Sequence, residues 1–455
     1  MRPSQVPAEI MGGDTIAALA TAGGTGAVAL IRVSGPDAAA VVSAACGSSP
    51  EWPDRKAVLR TIRDAEGGVI DQVLVTFFHG PRSYTGEPVA EVATHGGRFV
   101  TSQVLRRLLD CGARSAGPGE FTERAFFNGK LDLTQAEAVM DLISAQSHLA
   151  LRAAHEQLEG RLGQRTEGLR EELIGVVAQL EAWIDFPEED IDPATGEALL
   201  ARMASVTEGI RSLLSTADQG RVLREGLRTV ICGLPNAGKS SLLNALLGED
   251  RAIVSDAAGT TRDTIEEMLV VEGIPLRVVD TAGLRVAEGE IEEEGIRRTR
   301  KEAGRADLLI VVADASLSPD DALPGDLPDA PRTIRVLNKV DLGIHPQWND
   351  VEDLQVSCVD GAGLGELRGR IRELAEFGEA DWGEHSVAIN ARHRDRLKRA
   401  EEALDRAADS LRAQADPEIV ALDLRESLDL LGEIAGRVDT EEILGSIFSQ
   451  FCIGK

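Results

Sequence analysis

The chain has 455 residues and carries 48 Lys and Arg against 76 Asp and Glu, a formal net charge of −28. So acidic a balance opposes non-specific binding to nucleic acid, where cations must displace phosphate counterions; an RNA substrate would need positive charge from a local patch or a partner. The five cysteines are widely spaced and never form a C-x-x-C pair, which argues against a zinc cage or a disulfide framework and fits a reducing cytoplasm.

The length suits roughly three domains with ample cores. Met11 serves as well as Met1 for a start. The stretch "IAALATAGGTGAVALI" at 16–31 follows Asp14 and is broken by Gly23, Gly24 and Gly26, so it reads as strand, glycine turn, strand rather than as a targeting segment. No run reaches the roughly eighteen apolar residues of a membrane helix, and no membrane partner is expected. Residues 14 to about 128 hold short β-rich segments such as "VALIRVSG" and "DQVLVTFFHG" between Gly and Pro, the pattern of a mixed α/β domain. From Leu131 to Phe186 there is no proline, and apolar residues recur at helical spacing.

From 227 to about 377 short β-branched runs alternate with helical ones: "RTVICG", "PLRVVD", "DLLIVVAD", "TIRVLNKVD", "LQVSC". Such alternation predicts a mostly parallel sheet. Beyond it the helical period returns, interrupted by Pro417. The fold class expected is therefore multidomain α/β plus all-α, with a nucleotide-binding domain inserted into a helical one. The dense basic run "ARHRDRLKR" contains Arg392, Arg394, Arg396, Lys398 and Arg399. It follows Asn390, a residue suited to cap a helix, so its cations sit at the unfavourable end of the helix dipole; a secondary RNA contact and a solvated helix face both fit. The chain closes on "SIFSQFCIGK". Packing alone predicts a buried Cys452, with Phe448, Phe451 and Ile453 docking the tail.

Four loops carry chemistry. "GLPNAGKSS" follows the strand "RTVIC" and opens a helical run, the setting of a phosphate-binding loop. There Gly233 and Gly238 let backbone amides curl around an anion, Lys239 reaches the β- and γ-phosphates, and the Ser240 hydroxyl binds Mg2+. "GTTRD" at 259–263 offers Thr261 as a second magnesium ligand. "DTAG" at 280–283 closes a strand, so that Asp280 holds the metal through water and the Gly283 amide senses the γ-phosphate. "NKVD" at 338–341 supplies Asp341 for the two guanine-edge donors, Lys339 along the ring and Asn338 as a tie between loops; adenine lacks that donor pair, so the nucleotide is GTP. "SCVDG" from Ser357 stands where base-contacting backbone is expected. These motifs resemble the Ras-like P-loop GTPases. Leu284 follows DTAG where a water-orienting Gln would stand, and it cannot hydrogen-bond a nucleophile. Asn236, as a ligand for a monovalent cation, or an acid in "AEGEIEEEG" must compensate.

With "YTGEPVAEVATHGG", "GPGEFTERAFFNGKLDLTQAEAVMDLI", "AWIDFPEED" and the terminal "FCIGK" added, the chain resembles, from Asp14 onward, the MnmE (TrmE) family of tRNA uridine-modification GTPases. The resemblance implies an N-terminal tetrahydrofolate-binding and dimerisation domain over 1–128, helical segments at 129–225 and 379–455, and a G domain at 226–378. It implies GTP contacts from Asn236, Ala237, Gly238, Lys239, Ser240 and Ser241; from Ser255, Asp256, Ala257, Ala258, Gly259, Thr260 and Thr261; from Asp280, Thr281, Ala282 and Gly283; and from Asn338, Lys339, Asp341, Ser357 and Cys358. Potassium ligands would be Asn236, Ser255, Ala257 and Thr260, with Ser at 255 where Thr is frequent. Glu292 would orient the water.

For the folate derivative, 5-formyl- or methylene-tetrahydrofolate, the matching positions are Arg32, Glu91, Lys130 and Lys455, although on residues alone Arg32 and Glu91 read as strand-end charges. Cys452 would be required for the modification, a mobile tail carrying its thiol toward the one-carbon unit. The family further implies a homodimer and an FAD-dependent partner of the GidA (MnmG) family, which together modify carbon 5 of the tRNA wobble uridine in the cytoplasm. Two rivals stay open at this point: a ribosome-associated GTPase switch without RNA chemistry, and a GTP-driven clamp whose tail only docks.

Overall fold

The computed structural model describes residues 13–48, 51–185, 194–248, 266–279, 302–324, 330–348, 351–375, 387–437 and 441–454. They fall into two compact units.

The first unit contains Met1–Met140, Gly163–Pro187 and Asp416–Lys455. Its strands are β1 (Ile16–Leu19), β2 (Val28–Ser34), β3 (Ala57–Arg63), β4 (Val69–Phe78), β5 (Val89–His95) and β6 (Arg114–Ser115). They form one sheet in the order β3-β4-β5-β2-β1-β6, antiparallel except for the parallel β1–β6 pair. Period-2 alternation sends Ile31, Val33, Val73, Val75, Phe77 and Val92 to one face. There α1 (Ala38–Ala45) and α2 (Arg98–Asp110) cover them with Val41, Val42, Val104 and Leu108. The opposite face carries the row Arg32, Glu91, Thr76 and Ala57, set by the pairings Arg32↔Glu91, Glu91↔Thr76 and Thr76↔Ala57.

Helix α3 (Glu120–Phe127) is held by a charge cluster. Its Arg124, 3 % exposed, lies 2.7 Å from Asp14, 2.9 Å from Glu120 and 3.2 Å from Glu87. Burial alone would raise the Glu120 pKa, but hydrogen bonds from Arg114, the Gly117 amide and Arg124 bring it below the usual 4.5. The unit is completed by α4 (Leu133–Ser144) as far as Met140, α6 (Arg161–Asp185) from Gly163, α13 (Pro417–Ile434) and α14 (Glu441–Phe448). Pro417, which breaks the periodic pattern, is the first residue of α13; Asp416 caps it by accepting from the Glu418 amide.

The second unit holds α5 (His148–Leu158), α7 (Ala194–Leu214) and α8 (Ala217–Glu225), then β7 (Leu227–Cys232), α9 (Lys239–Leu247), β8 (Glu267–Val271), β9 (Ile274–Val278) and β10 (Leu308–Asp314). It continues with α10 (Pro319–Ala322), β11 (Thr333–Asn338), β12 (Leu354–Val356), α11 (Leu364–Leu374) and α12 (Ala391–Arg412). The sheet order is β12-β11-β10-β7-β9-β8, parallel but for β8–β9. Residues Leu308 to Ala313 of β10 are all buried, as a parallel strand covered on both faces requires. Ile231, Ile310, Val312 and Val336 pack with Leu242 and Leu246 of α9 and Leu367 and Ile371 of α11.

Helix α12 is capped by Asn390. Its side chain accepts from the His393 amide at 2.8 Å while His393 Nδ1 accepts from the Asn390 amide at 3.2 Å. Among the described residues no helix is long and apolar enough to cross a membrane.

Candidate functional site

The C-terminal ends of β7 and β11 and the N-terminus of α9 converge on the phosphate loop, the edge where open parallel sheets bind ligands. Asn236 and Gly238 both hold left-handed backbone, at φ +62° and +96°. A Cβ on Gly238 would lie 2.1 Å from Asn338 Nδ2, so no larger residue fits without displacing the neighbouring loop. Asn338, 2 % exposed, donates from Nδ2 to the Ala237 carbonyl at 3.0 Å and so joins the end of β11 to the turn before Gly238.

The Lys239 ammonium donates to the Gly233 and Leu234 carbonyls at 3.0 and 2.9 Å. Burial lowers its pKa from the usual 10.5, because a charge withdrawn from water is destabilised. Ser240 and Ser241 follow in the first turn of α9, where the helix dipole and the amides of a helix N-terminus favour an anion.

Next to this loop stand the residues that the sequence assigns to the base. Lys339, at φ +66°, donates to Asp314 Oδ2 at 2.6 Å. Burial works to raise the Asp314 pKa, but hydrogen bonds from Lys339 and Ser316 outweigh it and leave the carboxyl below 3.8. The exposed Asp341 accepts from the buried Ser357 hydroxyl at 2.8 Å, which fixes the carboxylate while leaving lone pairs for a base edge. Burial, with Asp341 adding to it, pushes the Cys358 thiol up from its usual 9.0, which disfavours the thiolate. Ser255, Asp256, Ala257, Ala258, Gly259, Thr260, Thr261, Asp280, Thr281, Ala282, Gly283, Glu292 and Lys455 lie outside the described residues.

In the first unit, Arg32 of β2 and Glu91 of β5 face each other across the register and pair at 2.9 Å. The Arg32 guanidinium lies over the rings of Tyr84 and Phe121, 5.3 and 5.8 Å from their centroids. Tyr84 is steadied in turn by the Thr122 hydroxyl at 2.8 Å. Lys130 is exposed and donates to the Pro81 carbonyl at 3.1 Å.

The C-terminal tail is docked in this structure. Phe448 and Phe451 are buried, 2 % and 6 % exposed, with ring centroids 5.5 Å apart. Gly119 donates to the Cys452 carbonyl at 3.5 Å, and Ile453 bridges Pro118. Gly454, at φ +100°, comes so close to the Leu19 carbonyl that a Cβ would sit 2.2 Å from its oxygen. Contrary to the expectation from packing, Cys452 is exposed, and so is Ile453; the two phenylalanines do the docking.

The basic run also differs from a single patch. His393, Leu397 and Ala400 of α12 are buried, and the cations spread around the rest of the helix. Arg394 pairs with Asp218 at 3.3 Å, and Arg396 and Arg399 with Asp395 at 2.6 and 4.0 Å.

Residues 15–130 match the family model described as GTP-binding protein TrmE N-terminus, and residues 133–452 match that of the MnmE helical domain. The chain belongs to the MnmE family of tRNA modification GTPases. Membership makes it a GTP hydrolase, in keeping with the phosphate loop at the head of α9. The tRNA modification GTPase MnmE of Akkermansia muciniphila is 52% identical over 444 residues, which cover 97% of this chain and 99% of that one. The MnmE proteins of Opitutus terrae and Aquifex aeolicus are 45% and 43% identical, covering 97% of this chain and 99% and 100% of theirs.

Sequence reasoning passes over several residues that the MnmE fold brings to these sites. Asp314 carries a signal, an acid closing an apolar parallel strand. Tyr84 and Phe121 carry none, since their meeting with Arg32 depends on tertiary packing.

Proposed function

We propose that the chain is a homodimeric, potassium-dependent GTPase that modifies carbon 5 of a tRNA wobble uridine in the cytoplasm. It acts with an FAD-dependent partner of the GidA (MnmG) family, in a heterotetramer or larger assembly, and adds an aminomethyl or carboxymethylaminomethyl group. Residues 1–128 form the folate-binding and dimerisation domain, 129–225 and 379–455 the helical domain, and 226–378 the G domain. The observation that carries this reading is the exposed Cys452 tethered at Gly119, the residue that opens α3, whose Phe121 lies under Arg32.

Within the G domain, Asp341 and Ser357 select guanine, Lys339 flanks the base, and Lys239 exchanges its loop carbonyls for the β- and γ-phosphates. Ser240 and Thr261 hold magnesium, which offsets phosphate charge. Potassium at Asn236, Ser255, Ala257 and Thr260 supplies the charge that an arginine finger gives elsewhere. Glu292 orients the water in place of the missing Gln. GTP hydrolysis is coupled to the meeting of two G domains, which activates the modification.

The donor set in the first unit suits a tetrahydrofolate derivative, the source of the one-carbon unit. The Glu91 carboxylate accepts from the paired N–H groups of a pterin edge, the Arg32 guanidinium donates to its carbonyl, and Tyr84 and Phe121 wall the pair.

Reconstitution with the GidA-type partner, folate, GTP and tRNA tests the proposal, with mass spectrometry of the nucleosides. Wild type yields the modified wobble uridine; Cys452→Ser hydrolyses GTP and leaves the uridine unchanged. An unmodified uridine from the complete wild-type mixture refutes the reading and favours a ribosome-associated switch.

A further inference from the structure

The acidity of the chain is not evenly spread. Residues 13–140 contain twelve Lys and Arg against fourteen Asp and Glu, whereas the whole chain has 48 against 76. Within this near-neutral segment, exposed cations converge on the loop between β4 and β5. Lys130 is bonded to the carbonyl of Pro81. The next residue, Arg82, offers its carbonyl to Arg55 Nη2 at 2.5 Å, and Lys56 adjoins Arg55. Arg82 and Arg55 keep 76 % and 55 % of their side chains exposed. The carboxylate beside them is Asp54, 3.4 Å from Arg82 and 3.9 Å from Arg55, and it also accepts from the His79 amide.

Two observations tie this cluster to the Arg32–Glu91 pair. Glu91 pairs with Thr76, so Phe78 on the same face is its diagonal neighbour at about 7–8 Å; the Arg55 guanidinium lies over the Phe78 ring, 5.6 Å from its centroid. Moreover, Arg82 and Tyr84 are two residues apart in one loop, and Tyr84 lies under Arg32. A ligand seated at Arg32 and Glu91 and extended along this face meets the cations next.

We propose that Arg55, Lys56, Arg82 and Lys130 form a subsite for the γ-linked glutamate chain of the folate. The inference rests on the folate reading above and names the form of folate that the site prefers. A folate carries its pterin at one end and a run of carboxylates at the other, and the site offers a guanidinium–carboxylate pair and then a short strip of cations in the same order. A strip this narrow suits a flexible chain of carboxylates better than the broad backbone of a folded RNA.

Equilibrium titration of the full-length protein with 5-formyltetrahydrofolate, as monoglutamate and as pentaglutamate, tests it. Wild type binds the pentaglutamate about tenfold more tightly at low salt, as a few exposed charge pairs allow. That gain disappears in about 1 M salt, where the Debye length falls to about 3 Å. The double variant Arg55→Gln/Arg82→Gln loses the gain, keeps monoglutamate affinity within about twofold, and melts as wild type does. Equal affinity of wild type for the two folates overturns the proposal, as does a variant that keeps the gain. A variant that keeps the gain but loses tRNA in a filter-binding assay shows an RNA surface instead. Failure of wild type to bind even the monoglutamate is a separate outcome and removes the folate reading itself.

Discussion

Replacing Asn338 by Ala isolates one bond between two nucleotide loops. The Asn338 amide is buried, and its Nδ2 lies 3.0 Å from the carbonyl of Ala237. Ala237 is itself 2 % exposed. Truncation leaves that carbonyl without its donor, which costs about 1–3 kcal/mol. The bond does little for the remainder of the sheet, where β10 and β11 pair over six residues, so the cost falls mainly on the shape of the phosphate loop. GTP affinity should then drop about 5- to 150-fold, at 1.4 kcal/mol per decade. Titration with a fluorescent guanine nucleotide measures it, alongside urea unfolding. Asn338→Asp is the stricter control: it keeps the shape but sets a carboxylate oxygen against the carbonyl, and it should bind no better than the Ala variant. Wild-type affinity in Asn338→Asp would refute the reasoning, because no donor would then be needed.

Three other outcomes follow from the same geometry. Asp341→Asn turns one acceptor into a donor and should cost GTP about 1–3 kcal/mol of binding while improving xanthosine triphosphate; a uniform loss of both nucleotides in competition assays would contradict base selection by this carboxylate. Because burial lowers the Lys239 pKa and a phosphate favours its charged form, GTP binding should take up a proton above the free-protein pKa and weaken as pH climbs through that window toward 10.5. Calorimetry in buffers of different ionisation enthalpy reads this uptake, and a buffer-independent heat would rule it out. Gly454→Ala, which drives a Cβ toward the Leu19 carbonyl, should free the tail, raise amide exchange over 449–454 and abolish tRNA modification with GTP hydrolysis intact; unchanged exchange would show that the close approach does not hold the tail.

The nucleotide-binding half was legible because its code is local. A parallel strand buried on both faces must be apolar along its length, so "LLIVVA" in β10 announces itself, and strand ends then locate the loops. The first unit was harder. That Arg32 and Glu91 stand opposite each other depends on the register between β2 and β5, 59 residues apart, and no sequence window contains that register. The basic run misleads in another way. Five cations within nine residues suggest a patch, but at 3.6 residues per turn they encircle a helix whose buried stripe runs through His393, Leu397 and Ala400, and nearby acids engage Arg394, Arg396 and Arg399. An RNA contact on α12 therefore has less free charge to offer than the sequence suggests.

The tail shows where a local pattern is informative and where it stops. Phe448 and Phe451 are three residues apart and so share a side of the turn that ends α14, while Cys452, one residue on, points elsewhere. The pattern thus implies that rings which bury themselves will turn the thiol outward, and each ring stabilises the docked tail by about 1.5–3 kcal/mol. It cannot reveal the receiving surface, since Pro118, Gly119 and Leu19 lie more than 300 residues upstream. Once that surface is known, the thiol need not be carried by a mobile arm. Its main chain bonds to Gly119 at the head of α3, the helix that also sets Phe121 beneath Arg32, so one short element both holds the tail and flanks the Arg32–Glu91 pair. Mutations that loosen α3 should therefore damage thiol placement and that ion pair together.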